Sequence, residues 1–409
     1  MEKIKFFGRY ESAETYALRE FLRKSIIDFD WIDLNDVSNG NNSRFQKYHS
    51  AIQFTDGRFL TNPTIEDVAK RLGWVSKPAR KEYDLSIYGA GPAGLSAAVY
   101  AASEGLSTIL IEKEAIGGQA GTSSLIENYM GFPQGISGTE LAERARQQAV
   151  KFGVEILLLQ EGVKGYFDDN RIYGGLSNGE QLIAKANICA TGVDYAALNV
   201  PNEKNFFNRG LYYGAGMGEA CFCEGMDVFV VGGGNSAGQA ASYFSGFAEN
   251  VYMVVRRGNL ADTLSDYLVK RITNIPNVHV LYNSEVKELE GDTVLRRIRI
   301  YNSETGQSKW YDTGKLFICI GGKPNTEWAS ETKIIRDING YLITGSDLLP
   351  HKDYNDCWKS DRLPYHLETS VAGCFAVGDV RFNSVKRVAS AVGEGAMAVT
   401  MVHKYLSQL

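Results

Sequence analysis

The stretch Leu85-Ser86-Ile87-Tyr88-Gly89-Ala90-Gly91-Pro92-Ala93-Gly94 decides the fold. A short β-prone run, Leu85–Tyr88, feeds three glycines spaced Gly-x-Gly-x-x-Gly, and small residues to about Ser103 then read as a helix. Gly89 permits the tight turn, Gly91 lets the backbone approach a pyrophosphate, and Gly94 lets the helix lie close on the strand. A pyrophosphate held by Gly89, Gly91, Pro92, Ala93 and Gly94 would rest against the positive end of that helix. The next strand, Thr108–Glu112, ends in a carboxylate about 20 residues on, where it can bind ribose hydroxyls. A plain structural glycine turn is the competing reading. The strand, helix and terminal acid together argue against it.

The same unit recurs further along. Val228–Val231 runs into Gly232-Gly233-Gly234-Asn235-Ser236-Ala237, a helix to about Phe247 and a strand Val251–Val255. Alanine at the third position of the fingerprint is allowed. Here the second strand is followed by Arg256-Arg257 instead of an acid, and paired guanidinium groups suit a 2′-phosphate. A solvated basic pair at a strand end is the alternative. An acid at one site and arginines at the other point to one nucleotide with a free ribose and one with a 2′-phosphate, which favours NADPH at the second site.

Other glycine-bearing segments suit a first domain that is interrupted and resumed. Ala190-Thr191-Gly192 follows a strand Ala186–Cys189, and Gly321-Gly322 follows a strand Leu316–Cys319. Phe375–Asp379 reads as a strand ending in the carboxylate of Asp379. Ahead of all this, residues 1–78 read β-α-β-β-β-α: strands Ile4–Phe7 and Phe29–Leu34, a helix Ala13–Leu22, a hairpin about Asp56-Gly57, and a helix from Thr64. Lys77–Lys81 reads as a linker.

Composition excludes several classes. The net charge of −5 argues against a nucleic-acid footprint. No apolar run approaches the roughly 20 residues of a membrane span, and the charged start does not read as a secretory leader, so a cytoplasmic location is expected. Six cysteines have no disulfide-framework spacing, and five scattered histidines have no metal-ligand spacing, so no metal is expected.

The ordered set Gly89–Gly94, Gly117-Gly118-Gln119, Ile126-Glu127-Asn128-Tyr129, Ala190-Thr191-Gly192, Gly232–Ala237, Arg256-Arg257, Gly378-Asp379 and Lys386-Arg387-Val388-Ala389-Ser390-Ala391 resembles one family. It is the low-molecular-weight thioredoxin reductase branch of the pyridine nucleotide–disulfide oxidoreductases, and the likeness runs from Tyr83 to Leu409. The resemblance implies an α/β chain with two Rossmann-like FAD/NAD(P)-binding domains, one inserted in the other. The FAD domain would take 83–202 and 314–409, and the NADPH domain 203–313. It further implies that Gly118, Gln119 and Asn128 line the flavin and that Asp379 holds the ribityl chain. Arg387, Val388 and Ala389 would open a last helix whose dipole faces the flavin. A homodimer with a swinging NADPH domain is also implied.

The family's redox Cys-x-x-Cys is missing: the equivalent stretch reads Tyr213-Gly214-Ala215-Gly216-Met217-Gly218-Glu219. Cys221 and Cys223, just downstream, are weak catalytic candidates, since a disulfide between cysteines two apart is strained. The N-terminal block resembles a thioredoxin/glutaredoxin-type α/β domain, again without cysteines, Arg9–Thr15 standing where that dithiol would open the first helix. The expectation is an NADPH-dependent FAD oxidoreductase passing electrons to an external acceptor. Two other readings stay open: thioredoxin-disulfide reduction through Cys221 and Cys223, and a ferredoxin- or flavodoxin-NADP reductase-like enzyme or flavin-binding sensor.

Overall fold

The structure is a computed structural model that describes residues 3–36, 45–74, 77–168, 171–214 and 217–409. The N-terminal module comprises β1 (Ile4–Gly8), α1 (Ala13–Lys24), β2 (Phe29–Asp33), β3 (Ser50–Gln53), β4 (Phe59–Thr61) and α2 (Ile65–Arg71). Its sheet runs β2-β1-β3-β4, with β2 parallel and β3 antiparallel to β1. Local chemistry explains these elements. Ser12 caps α1 by accepting from the Thr15 N–H. Gly57, at φ +80°, turns the β3–β4 hairpin. Thr64 and Asp67 cap α2 reciprocally, the Asp67 N–H donating to Thr64 Oγ1 and the Thr64 N–H to Asp67 Oδ2.

The first nucleotide fold follows: β5 (Glu82–Tyr88), α3 (Pro92–Ser103), β6 (Thr108–Glu112), α4 (Gly138–Lys151), β7 (Glu155–Leu158), β8 (Gly162–Asp168), β9 (Arg171–Leu176) and β10 (Gln181–Cys189). The chain leaves through β11 (Val193–Tyr195) and a short helix α5 (Glu203–Phe206). The second fold then contains β12 (Leu211–Tyr213), β13 (Asp227–Val231), α6 (Asn235–Phe244), β14 (Asn250–Val254), α7 (Asp266–Asn274), β15 (Val278–Leu281), β16 (Ser284–Gly291), β17 (Leu295–Asn302), β18 (Ser308–Asp312) and β19 (Leu316–Ile318). It ends at β20 (Gly322–Pro324), and α8 (Tyr354–Cys357), β21 (Cys374–Ala376) and α9 (Val388–Leu406) complete the first fold.

Each fold has its own parallel sheet. In the first, β7-β6-β5-β10 are parallel neighbours, β21 joins β10 in parallel, and β9 and β8 continue as an antiparallel meander. In the second, the order is β12-β19-β13-β14-β15, all parallel, and β16-β17-β18 form a separate antiparallel sheet. The core of the first fold is built from Leu85, Ile87, Ala97, Ala98, Phe375 and Val399. That of the second gathers Val228, Val230, Ala240, Phe244 and Phe317. The chain divides into two compact units: Met1–Val68 with Thr122–Leu125 and Tyr195–Gly322, and Ala69–Gly121 with Ile126–Asp194 and Lys323–Leu409.

Two expected boundaries are corrected. The helix after the second glycine loop stops at Phe244, not near Phe247, because Ser245-Gly246 are weak helix formers and Ser245 becomes its C-cap. The strand expected over Phe375–Asp379 is shorter: β21 ends at Ala376, and Gly378, at φ +73°, bends the chain into a 3₁₀ turn that carries Asp379. No helix among the described residues is long and apolar enough to cross a membrane.

Candidate nucleotide sites

In the first fold, β5 delivers the chain into a turn that only glycine can make. Gly89 sits at φ +102°, and a β-carbon there would fall on the Ala190 carbonyl. Gly94 lies in the first turn of α3, where a β-carbon would fall on the Gly89 carbonyl. Gly91 is different. It is the N-cap of α3, makes no side-chain cap, and has nothing within 4 Å of an ideal β-carbon. Two glycines are thus fixed by protein contacts, while the third faces open space at an uncapped helix N-terminus. That is the cradle a pyrophosphate needs.

Glu112 closes this cradle. It ends β6 and is 8% exposed, with Oε2 accepting from the Ala90 N–H at 2.7 Å and Oε1 from the Glu114 N–H at 2.9 Å. Each oxygen keeps a lone pair for a hydroxyl donor. Burial pushes its carboxyl above the usual range, and the two backbone N–H groups oppose that.

The other expected residues of this fold lie on converging loops. Gly118, exposed at φ +53°, would bring a β-carbon within 3.2 Å of Gly91 Cα. Gln119 Nε2 donates to the Val193 carbonyl at 2.5 Å, and Asn128 is exposed. After β10, Ala190 hydrogen-bonds the Tyr88 carbonyl, and Thr191 and Asn325 bond each other through side chain and backbone. Gly192 is left-handed at φ +64°. Gly378 approaches Ala93, 3.0 Å from where its own β-carbon would stand, so Gly378 and Asp379 are held beside the start of α3. Burial raises the Asp379 carboxyl, while Lys386 and Arg387 pull it down. Arg387 is the N-cap of α9 without a side-chain cap, and Val388 and Ala389 form the first turn.

A side chain from farther along the chain orients the Asp379 turn. Glu394 Oε2 accepts the Gly378 N–H at 2.7 Å, and its other oxygen pairs with Arg381 at 2.6 Å. Nothing in the motif spacing singles out a glutamate two turns into a helix.

The second fold repeats the cradle. Gly232, at φ +142°, would place a β-carbon on the Cys319 carbonyl, and Gly234 is an uncapped N-cap with open space before it. Ala237, 3.1 Å from a β-carbon at Gly232, stands where Gly94 stands in the first fold, so this loop is looser by a methyl group. Its side chains brace it: Thr263 Oγ1 donates to the Gly233 carbonyl, and Asn235 exchanges two bonds with Ser265. Ser236 is exposed on the first turn of α6. Arg256 and Arg257, just beyond β14, are exposed. Leu260 is core at 1% exposure and supplies no charge.

Cys221 and Cys223 fall on either side of Phe222, which ends a 3₁₀ turn Met217–Phe222. Cys221 is exposed and Cys223 fully buried, each thiol donating to a backbone carbonyl one turn back, Gly218 and Glu219 respectively. Burial raises both thiols, the opposite of what activates a cysteine. Ala215 and Gly216 of the expected dithiol stretch lie outside the described residues. No group of metal-ligating side chains occurs among the described residues.

Comparison with known proteins fits this geometry. The family model for pyridine nucleotide-disulphide oxidoreductases matches residues 83–395. The chain belongs to that family. Thioredoxin reductase of Bacillus subtilis (strain 168) is 33% identical over 330 residues, covering 80% of this chain and 96% of the relative. That of Peptoclostridium acidaminophilum is 32% identical over 330 residues, covering 79% and 97%. Among solved structures, Lactococcus lactis thioredoxin reductase in its FR conformation superposes with a TM-score of 0.71 at 29% identity, over 80% of this chain and all of that one. Thioredoxin reductase of T. acidophilum gives the same TM-score at 28% identity. This pyridine nucleotide-disulphide oxidoreductase is therefore a redox enzyme of thioredoxin reductase type, and the family's cofactors are FAD and NADPH. The family match begins at Tyr83, so the N-terminal module stands outside it.

Proposed function

We propose that the enzyme takes electrons from NADPH through FAD and gives them to an external acceptor without an internal dithiol. Two uncapped glycine cradles, together with a pair of thiols that burial pushes up, carry this reading. Domain limits of 83–202 plus 314–409 for FAD and 203–313 for NADPH belong to the same proposal.

FAD is assigned to the first fold. The loop Gly89, Gly91, Pro92, Ala93 and Gly94 offers its pyrophosphate the N–H groups of α3, and Glu112 accepts from ribose hydroxyls. Gly118, Gln119, Asn128, Ala190, Thr191 and Gly192 line the site, and Gly378 with Asp379 holds the ribityl chain. Arg387, Val388 and Ala389 aim the N-terminus of α9 at the ring, where partial positive charge stabilises a reduced, anionic flavin. NADPH is assigned to Gly232, Gly233, Gly234, Asn235, Ser236 and Ala237, with Arg256 and Arg257 on its 2′-phosphate. When bound, FAD supplies two-electron chemistry for which NADPH is the donor.

Rapid mixing of the FAD-loaded enzyme with NADPH and, separately, NADH tests the first half of the path. Bleaching within seconds, faster with NADPH, is expected; no bleaching with either sinks the proposal. Disulfide-bonded thioredoxin is one acceptor to try, the substrate in the name of the relatives, beside ferredoxins, flavodoxins and quinones. Replacing Cys221 and Cys223 together by serine is expected to leave turnover unchanged. Loss of disulfide turnover alone would favour the thiol pair instead. A homodimer in the cytoplasm is proposed on the family's habit.

A further inference from the structure

The N-terminal module and the second nucleotide fold share one compact unit, and a buried charge cluster joins them. Glu219, in the Met217–Phe222 turn, is 0% exposed. One of its carboxylate oxygens pairs with Arg19 of α1. The other accepts from Lys315 Nζ at 2.8 Å, ahead of β19, and from Tyr10 Oη at 2.7 Å, ahead of α1. Arg19 and Lys315 are each 2% exposed. Aromatic rings complete the enclosure. The Arg19 guanidinium lies 4.8 Å from the Phe222 ring centroid and 5.3 Å from that of Trp31, Tyr10 lies 4.1 Å from Phe222, and Tyr16 4.9 Å from Tyr212. Tyr16 belongs to the same apolar cluster as Val228, Val230 and Phe244 of the second fold. Glu20 and Arg23 fill the space over Gly218.

We infer that the N-terminal module is a permanently docked cover over the Met217–Phe222 turn, welded by the single carboxylate of Glu219, and not a carrier that leaves and returns. A carrier needs a face that is stable in water when free. Here release would expose Tyr16, Trp31, Phe222 and Tyr212 and part the Glu219 carboxylate from one of its two cations, Arg19, leaving it with Lys315 alone. A buried ion pair that loses one partner leaves an uncompensated charge in a poorly solvated place, which is strongly unfavourable. Burial raises the Glu219 carboxyl to about 7, against the pull of the Arg19 guanidinium, and lowers the Lys315 ammonium to about 7. The cover also leaves the nucleotide cradle open. It grips Lys315 at one end of β19, whereas Gly232 packs on Cys319 at the other, about 13 Å away at strand spacing. The Glu219 face of the Met217–Phe222 turn is therefore covered by the chain's own first domain, while Cys221 on the same turn stays exposed.

The test uses the full chain with a specific protease sequence placed between Lys77 and Lys81, cut after folding. The N-terminal fragment is expected to co-elute with the rest in gel filtration at micromolar concentration; elution as a separate species overturns the proposal. In the Glu219→Gln form two buried cations face a neutral amide, and retention of the fragment is expected to fall at least tenfold. Retention equal to wild type overturns the assignment of the weld to Glu219. In the uncut wild type, amide exchange of Thr15–Leu22 is expected to be unchanged by NADPH, and a tenfold loss of protection would mean that the module departs. None of these readings requires flavin turnover, so they fail independently of the proposed electron path.

Discussion

Replacing Gly91 and Gly234 by alanine, one at a time, separates a glycine needed by the fold from a glycine needed by a ligand. Gly91 has φ −72° and ψ −178°, and Gly234 φ −95° and ψ 177°, both conformations that alanine adopts freely. Nothing stands within 4 Å of a β-carbon at either position. In the ligand-free chain alanine loses some N-cap preference and gains about 0.4–1 kcal/mol by restricting the unfolded state, so stability should change by less than about 1 kcal/mol. With a pyrophosphate against the backbone the methyl group has no room, and overpacking of about 1–3 kcal/mol follows. At 1.4 kcal/mol per tenfold, binding weakens about fivefold to somewhat over a hundredfold. The assay pairs urea melts of the ligand-free variants with FAD titration by fluorescence quenching and the KM for NADPH at saturating FAD. Gly91→Ala should weaken FAD and Gly234→Ala should raise the NADPH KM, neither affecting the other ligand's site. Gly94→Ala is the contrast, since its β-carbon meets the Gly89 carbonyl and should destabilise the ligand-free fold itself. A Gly91→Ala protein that binds FAD with unchanged affinity would refute the reasoning, because the open space would then not hold the pyrophosphate.

Arg256→Ser with Arg257→Ser should erase most of the NADPH preference, about 1.5–3 kcal/mol for each charged hydrogen bond lost, while kcat with NADH stays near wild type in steady-state assays. Glu112→Gln should weaken FAD by about tenfold or more in the same fluorescence titration. Because burial raises the Glu112 carboxyl, the ionised acceptor is lost as pH falls at a higher pH than for an exposed glutamate, and FAD release on acidification should track that. Glu368 is 0% exposed and takes Arg362 through two bonds of 2.6 and 2.8 Å plus the Gly373 and Tyr365 N–H groups, so Arg362→Ala should cost several kcal/mol in denaturant unfolding without altering nucleotide affinity.

What could be read without a structure was whatever the backbone itself demands. A left-handed turn against a carbonyl requires glycine, so Gly89 and Gly232 announce themselves, and Glu112 and Arg256-Arg257 are found by counting from them. The limits of α6 and β21 fall short of the apolar patterning, which runs past the point at which Ser245-Gly246 and Gly378 stop the element. Side-chain groups assembled from distant segments left no local trace. Glu394 reaches back to Gly378 from within α9, and Glu219 meets Arg19 and Lys315 from positions far away in the chain. The case of Glu219 shows why an absence is a poor guide. Counted against a dithiol motif, Tyr213–Glu219 is only a place where cysteines are missing. Counted as chemistry, it holds a buried carboxylate whose desolvation is tolerable only with cations supplied from both sides. One of those cations comes from the N-terminal module, whose sequence contains no cysteine. A buried ion cluster and a reactive, solvent-reachable thiol make opposite demands on the same surface.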